Sequence, residues 1–143
     1  MSAQLTVAPR RWRATPLAGL DAVEATSHQT GSARKRVVAH DPYLSGHYPD
    51  FPIFPGLFVV EAAVQTAELI LCPPPEPQWV TLFAVDSIRF LAPAFPGDLL
   101  CVGVTIAEID PGLFRVDARI ENAAQKTIAV AKFQVGLGDH SDD

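Results

Sequence analysis

Hydrophobic and polar positions alternate along several stretches of the chain. In one of them Val102, Val104 and Ile106 are separated by small or polar residues. Such alternation is typical of a strand with one buried and one solvated face, as in an antiparallel sheet. The pattern predicts five or six antiparallel strands. The candidate strands lie within residues 16–27, 33–40, 80–84, 99–109, 114–121 and 129–137.

One stretch near the middle of the chain has a helical period instead. Apolar side chains recur three or four positions apart from Leu57 to Leu71, without a proline or a turn residue between them. Four prolines within residues 73–77 end this helix, and four more within residues 41–55 exclude a regular helix before it. Because so little of its surface is polar, the helix is expected to be buried.

A sheet with one apolar face must be covered, and this helix is the available cover. The predicted fold class is therefore α+β, a single hotdog fold in which a long central helix is wrapped by a curved antiparallel sheet. We expect this domain to span residues 17–137. It follows a loosely ordered N-terminal arm at residues 1–16 and precedes a polar tail at residues 138–143.

Composition and charge narrow the choice of partners. The chain is 48% apolar and carries a net charge of −5, which opposes nucleic acid as a partner because phosphate binding needs a basic surface. No apolar run reaches the ~18 residues of a membrane span. The N-terminal segment lacks the apolar region of a secretory signal, so a cytoplasmic location is expected. Cys72 and Cys101 are expected to be unpaired, buried thiols.

Two side chains are the main candidates for chemistry. His47 lies in a stiff, proline-rich loop, which would hold a catalytic group at low entropic cost; the alternative is a histidine that only caps a turn. Glu61 lies one and a half turns into the helix, on one stripe with Gln65 and Glu68. That stripe is either the only solvated face of the helix or the lining of a cleft or subunit interface.

Other chemistries find little support in the sequence. A metal site built from His40, His47 and a neighbouring aspartate matches no known ligand spacing, so no metal is expected. Ser45 and Cys72 lack the setting of an activated nucleophile. His47 and Glu61 stay the main candidates, and the structural alternative for each stays open.

The loop and the helix together resemble the active-site signature of the β-hydroxyacyl-acyl carrier protein dehydratases (FabZ-like hotdog dehydratases). The family pattern is a GHFPGxPIxPG loop followed by a helix with E-A-x-x-Q. The corresponding stretches here are GHYPDFPIFPG at residues 46–56 and EAAVQ at residues 61–65. His47 and Glu61 are 14 residues apart, as in that family. A second block, VDSIRF at residues 85–90 with PGDLL at residues 96–100, resembles the family's ID-x-x-x-F and PGD-x-L.

Several positions depart from the family pattern. Tyr48 stands where phenylalanine is usual, and Asp50 replaces a glycine and adds a negative charge near His47. Leu91 and Ala92 replace a pair that is often basic. The departures suggest a specialised member, in polyketide or other secondary metabolism rather than in housekeeping fatty acid synthesis.

The resemblance implies dehydration of a 3-hydroxyacyl thioester to a trans-2-enoyl thioester, in fatty acid or polyketide chain elongation. His47 is then the base for the C2 proton, and Glu61 is the acid for the C3 hydroxyl. The backbone N–H of Gly56, at the start of the helix, is the oxyanion donor. No bound cofactor is implied, because the substrate is carried on the 4'-phosphopantetheine of an acyl carrier protein.

Further residues are candidates for binding the acyl chain and the carrier. An apolar tunnel for the acyl chain is expected to involve Phe51, Phe54, Phe58 and Gln65. Since both the chain and acyl carrier proteins are acidic, docking requires a local basic patch. The docking candidates are Arg34, Arg36 and Arg89, with Lys35 and the arm residues Arg10, Arg11 and Arg13 beside them.

Hotdog domains of this kind usually pair, so we expect a homodimer or a higher oligomer of dimers, or else a heterodimer. The active site is expected to be shared, with His47 from one chain and Glu61 from the other. Two alternatives to the dehydratase remain. One is a hotdog acyl thioesterase, which usually lacks the loop histidine, and the other is an inactive acyl-binding subunit.

Overall fold

The computed structural model describes residues 3–6, 20–25, 27–38, 56–72 and 78–139. Its elements are, in chain order, β1 (Ala3–Thr6), β2 (Ala22–Ala25), β3 (Thr30–Arg36), α1 (Gly56–Leu71), β4 (Gln78–Phe90), β5 (Leu99–Asp110), β6 (Leu113–Glu121) and β7 (Thr127–Asp139). The strands form one antiparallel sheet in the order β1-β2-β3-β5-β6-β7-β4. The predicted α+β class is confirmed, with seven strands instead of five or six.

One face of the sheet is apolar and packs against α1. In β5 the side chains of Val102, Val104 and Ile106 are buried, and the alternation continues through β6 and β7. Between them, residues such as Thr105 and Arg119 point to the opposite, exposed face. The alternating strands predicted within residues 99–109, 114–121 and 129–137 are therefore confirmed.

The helix α1 contacts different strands with its two sides. A methyl group at Gly31 in β3 would collide with Ile70. Glu68, about 200° away around the helix, accepts a hydrogen bond of 3.1 Å from the backbone N–H of Val80 in β4. The helix thus crosses the sheet between β3 and β4, as expected for a buried helix. Within the described ranges no helix is long and apolar enough to cross a membrane.

The strand β4 is longer than predicted and lies at the edge of the described sheet. Only residues 80–84 had a clear strand pattern, whereas the strand runs over Gln78–Phe90. Its ladder with β7 is interrupted by two register shifts, between Leu82 and Ala84 and between Val85 and Ser87. Bulges of this kind reset which side chains face the core, so β4 does not show one continuous alternation.

Three further boundaries differ from the predictions. The strand β1 lies within the segment expected to be a loose arm, and it pairs with β2. The strand β7 extends through Asp139, into the expected tail. The strand β3 begins earlier than predicted, at Thr30, and its inward-facing residues include Lys35, which is buried at 9% exposure beside Ala33. Lys35 is therefore not a surface candidate for carrier docking.

Neither Cys72 nor Cys101 forms a disulfide, and only one of them is buried. Cys72 is fully covered at the end of α1, as predicted. Cys101 is exposed because it lies between the inward-facing Leu100 and Val102 in β5. The expectation of a buried thiol is wrong for Cys101.

Gly31→Ala is expected to lower the free energy of unfolding by about 1–3 kcal/mol, the usual cost of overpacking a core. The added Cβ would overlap Ile70 and lie 2.9 Å from the backbone oxygen of Glu24. Urea unfolding monitored by circular dichroism measures the change. Gly103→Ala is the matched control, because the nearest atom to its Cβ is 3.8 Å away. Equal losses in the two variants would contradict the packing described here.

Candidate active site

The start of α1 packs directly against the end of β4. A Cβ placed on Gly56 would lie 2.8 Å from Cε1 and 2.9 Å from Cζ of Phe90, so this position has no room for a side chain while the ring stays in place. Phe90 is nevertheless 53% exposed. Its ring therefore covers Gly56 with one edge and presents the rest of its surface outward. The first backbone N–H groups of a helix have no acceptor within the helix and favour an anion.

Glu61 is held by a neighbour one turn further along the helix. The Gln65 side chain donates a hydrogen bond of 3.1 Å from Nε2 to Oε1 of Glu61. Gln65 is buried, whereas Glu61 is half-buried. A hydrogen bond from a buried amide restricts the orientations that the carboxyl group can adopt. Glu61 is thus the more exposed residue of a hydrogen-bonded polar pair on the helix.

Glu68 completes the polar stripe but is 1% exposed. Its Oε2 accepts the hydrogen bond from Val80, which joins the helix to the edge strand. A solvated helix face is therefore the wrong explanation for Gln65 and Glu68. The stripe instead faces β4, where the described sheet ends, and this agrees with the alternative of a cleft or a subunit interface.

The candidates for the acyl tunnel are only partly within the described residues. Phe58 is partly buried and packs against the hydrophobic core. Together with Gln65 it lies on the helix side that carries Glu61. His47, Phe51 and Phe54 lie outside the described residues, so their positions relative to Glu61 stay predictions.

The three arginines predicted to dock a carrier are all exposed, on the face of the sheet opposite α1. Arg89 lines an open groove of about 730 Å³ on that face, together with Arg119 and Lys132. Arg34 lies across the sheet on β3, and Arg36 donates a hydrogen bond of 3.1 Å from Nη1 to the backbone oxygen of Gly97. The groove does not include Glu61 or Gly56, so it is separate from the candidate acid–base site.

The family model described as ApeI-like, ApeI dehydratase, matches residues 23–134. The chain belongs to the ApeI-like dehydratase family. That match contains the helix with Glu61, the edge strand β4, the strands β5 and β6, and β7 as far as Gln134.

Curated relatives of this ApeI-like dehydratase carry the name 3-hydroxyacyl-[acyl-carrier-protein] dehydratase FabZ. The protein from Polynucleobacter asymbioticus is 32% identical over 116 residues, which cover 76% of this chain and 78% of the relative. The protein from Pseudothermotoga lettingae is 32% identical over 122 residues, which cover 85% and 86% of the two chains. The resemblance to the FabZ-like dehydratases is thereby confirmed.

Solved structures share the fold of the ApeI-like dehydratase. A chain of the dehydratase heterocomplex ApeI:P from Xenorhabdus doucetiae superposes with a TM-score of 0.65 at 17% identity, covering 80% of this chain and 93% of that one. The PaaI protein of E. coli superposes with a TM-score of 0.62 at 23% identity, covering 80% of each chain. At these identities the likeness shows the fold alone, and the predicted hotdog arrangement is confirmed.

Sequence analysis of this ApeI-like dehydratase missed two features of the site. Phe90 belonged to a matched block but had no assigned role, because its contact with Gly56 joins residues 34 positions apart. Glu68 was grouped with a polar stripe, because its hydrogen bond with Val80 joins the helix to a strand beyond the proline run, and neither pattern indicates that contact. Both features depend on how α1 crosses β4, which local periodicity does not specify.

Proposed function

We propose that this ApeI-like dehydratase removes water from a 3-hydroxyacyl thioester carried on an acyl carrier protein, during fatty acid or polyketide chain elongation. The product is the trans-2-enoyl thioester. The observation that carries the proposal is the half-buried Glu61, fixed by Gln65 less than two turns from the start of the helix. The names of the curated relatives support the same activity.

The elimination breaks a C–H bond at C2 and the C–O bond at C3, and it forms the double bond between them. In the proposed mechanism His47 takes the C2 proton, and Glu61 donates a proton to the departing hydroxyl group, which leaves as water. The backbone N–H of Gly56 stabilises the negative charge that develops on the thioester oxygen. Exchange with solvent then returns His47 and Glu61 to their starting protonation states.

Gln65 acts in this mechanism as a positioning residue. Its hydrogen bond to one carboxyl oxygen orients the group, which keeps the acidic proton directed at the substrate. Elimination of water involves no net oxidation or reduction and needs only an acid and a base, so the proposal includes no cofactor besides the 4'-phosphopantetheine that carries the substrate.

The function is tested by incubating the purified protein with 3-hydroxyacyl thioesters of graded chain length. The expected result is the loss of one water by mass spectrometry, with rising enoyl absorbance and no release of thiol. Release of free thiol would identify an acyl thioesterase instead. Binding of the thioester without any turnover would identify an inactive acyl-binding subunit. Either result would contradict the dehydratase.

We further propose that two copies of the chain pair through β4. An edge strand presents unpaired backbone groups, and exposed apolar side chains make it prone to association. On β4 these include Leu82 at 43%, Phe83 at 69% and Val85 at 47% exposure. Because the stripe with Glu61 faces the same edge, His47 of the partner subunit would complete each site. A two-fold axis then produces two equivalent sites.

The ApeI:P complex from Xenorhabdus doucetiae is named as a heterocomplex, so a second dehydratase-like chain is the alternative partner. The mass of the purified chain in solution distinguishes the two assemblies. A homodimer supports the proposal, whereas a monomer without activity that becomes active with a second hotdog chain supports the heterodimer.

The acidic carrier is proposed to dock on the basic residues of the outer sheet face. Arg34 and Arg89 lie on the first and last of five adjacent strands, and at ordinary strand spacing the distance between them is about 20 Å. That distance matches the length of a carrier helix of about 13 residues. The grouping of Arg89 with Arg119 and Lys132 supports this face as the docking surface.

Arg89→Glu and Arg34→Glu are each expected to raise the KM for carrier-bound substrate roughly threefold to tenfold, because a docking attraction becomes a repulsion. Turnover of a short pantetheine thioester should not change, since the chemistry is untouched. The difference should shrink as salt is added. Steady-state kinetics with both substrates measures the effect, and Arg36→Glu tests the third candidate.

The matched control is Lys126→Glu, a charge reversal in the turn between β6 and β7. It should leave the KM for carrier-bound substrate unchanged. If all three arginine variants behave like the control at low salt, the outer face is not the docking surface.

A further inference from the structure

We propose that Phe90 is a specificity-determining residue that restricts the substrate to 3-hydroxyacyl thioesters without a substituent at C2. The inference rests on the proposed function and extends it to the substrate class. It starts from the contact of the Phe90 ring with Gly56, where three ring carbons lie within 3.3 Å of the place that a Cβ would take. Among the described residues other than its chain neighbours, the ring is thus the side chain nearest to the Cβ position of Gly56, whose backbone N–H is the proposed oxyanion donor.

The position of the thioester follows from the oxyanion donor. Its oxygen must come to about 2.9 Å from the Gly56 nitrogen to form a hydrogen bond. The C2 atom is only two bonds away from that oxygen. A ring that packs on Gly56 therefore borders the space occupied by C2 and whatever C2 carries.

The remaining surface of the ring is available to the substrate. Phe90 is 53% exposed, and the adjoining Leu91 is 52% exposed. The exposed part of the Phe90 ring, at the start of α1, forms an apolar wall that a flat, unbranched acyl segment can pass. A methyl group on C2 would collide with the ring. The Phe90 ring cannot move aside toward Gly56, because no free volume remains between them.

The expected ratio of kcat/KM between the unbranched and the 2-methyl substrate follows from the effect of one extra carbon in an apolar pocket. One extra or missing methylene changes kcat/KM by roughly 10- to 200-fold. A C2 methyl still leaves one hydrogen on C2 for the base, so the elimination itself stays possible. Selectivity against it would therefore reflect the wall and not the chemistry.

The experiment compares kcat/KM for an unbranched and a 2-methyl 3-hydroxyacyl pantetheine thioester. The wild-type protein is expected to favour the unbranched substrate by roughly 10-fold or more, and Phe90→Ala to reduce that ratio by a similar factor. Phe90→Leu, which keeps most of the apolar volume, should give an intermediate ratio. It also covers the case in which Phe90→Ala does not fold, as checked by thermal unfolding.

The matched control is Ile109→Ala, the removal of another exposed large apolar side chain, on β5 and outside the proposed β4 interface. It should leave the ratio of the two substrates unchanged. If the Phe90 variants also leave it unchanged, or shift it only as much as Ile109→Ala does, Phe90 does not determine the selectivity and the inference is wrong. Absence of any dehydration by the wild-type protein would instead contradict the proposed function.

Discussion

Replacing Glu61 with glutamine is expected to lower kcat for a 3-hydroxyacyl thioester by roughly 10²-fold or more, the usual contribution of a positioned acid or base. The amide keeps the size of the side chain and its place beside Gln65, but it cannot donate a proton as a carboxylic acid does. His47→Ala is expected to have an effect of the same size, because it removes the base. Steady-state kinetics with a pantetheine thioester measures both, independently of carrier docking.

The control for Glu61→Gln is Glu121→Gln. Glu121 accepts a hydrogen bond of 2.7 Å from Arg119 at the surface of the sheet. Such a surface ion pair contributes little to the stability of the fold. This variant should keep wild-type kcat. A folded Glu61→Gln or His47→Ala protein with near-full activity on its own substrate would show that the role assigned to that residue is wrong.

Mixing the two inactive variants is expected to restore activity to about a quarter of wild type, if each site combines residues of two chains. Random exchange makes half of the dimers hybrid. In a hybrid, the intact Glu61 of one chain meets the intact His47 of the other, so one of its two sites is complete. Activity is measured after the subunits have exchanged under mild denaturation and dialysis.

Exchange is verified independently by native mass spectrometry of differently tagged chains. Each variant mixed with a tagged copy of itself is the control and should stay inactive. Hybrids that form but show no activity would contradict a shared site and would place His47 and Glu61 of one chain together. If the two inactive variants also carry substitutions at Phe83 and Val85, mixing them should restore less activity, because hybrid dimers then form less readily.

The elements that the sequence predicted best are those with local signals. The helix bounds follow from Pro55 before it and the proline run after it, and α1 begins and ends there. The strands β5, β6 and β7 have alternating patterns because one face packs under the helix. The strand β4 was recognised only in part, since two bulges and several exposed apolar side chains obscure its pattern.

The family pattern predicted part of the candidate site. It selected Glu61, Gln65 and Gly56 as candidate residues, and the structure joins Glu61 and Gln65 by a hydrogen bond. It did not identify Lys35 as buried: the alternation puts Lys35 on the inward face with Ala33, opposite Arg34, but its charge suggested a surface position. The contact of Phe90 with Gly56 requires the helix and the edge strand to be in place together, and no local rule describes that.

The strand order also bears on how the chain folds. The strands β5, β6 and β7 are neighbours in sequence and pair as two hairpins, whereas β4 pairs with β7 across all of them, with Gln78 opposite Asp139. Contacts between residues close in sequence form early, because their loops cost less entropy to close. During synthesis β4 leaves the ribosome well before β7, the strand that pairs with it. In that interval β4 exposes both its backbone hydrogen-bonding groups and its aromatic side chains, so we expect it to be prone to association until β7 emerges.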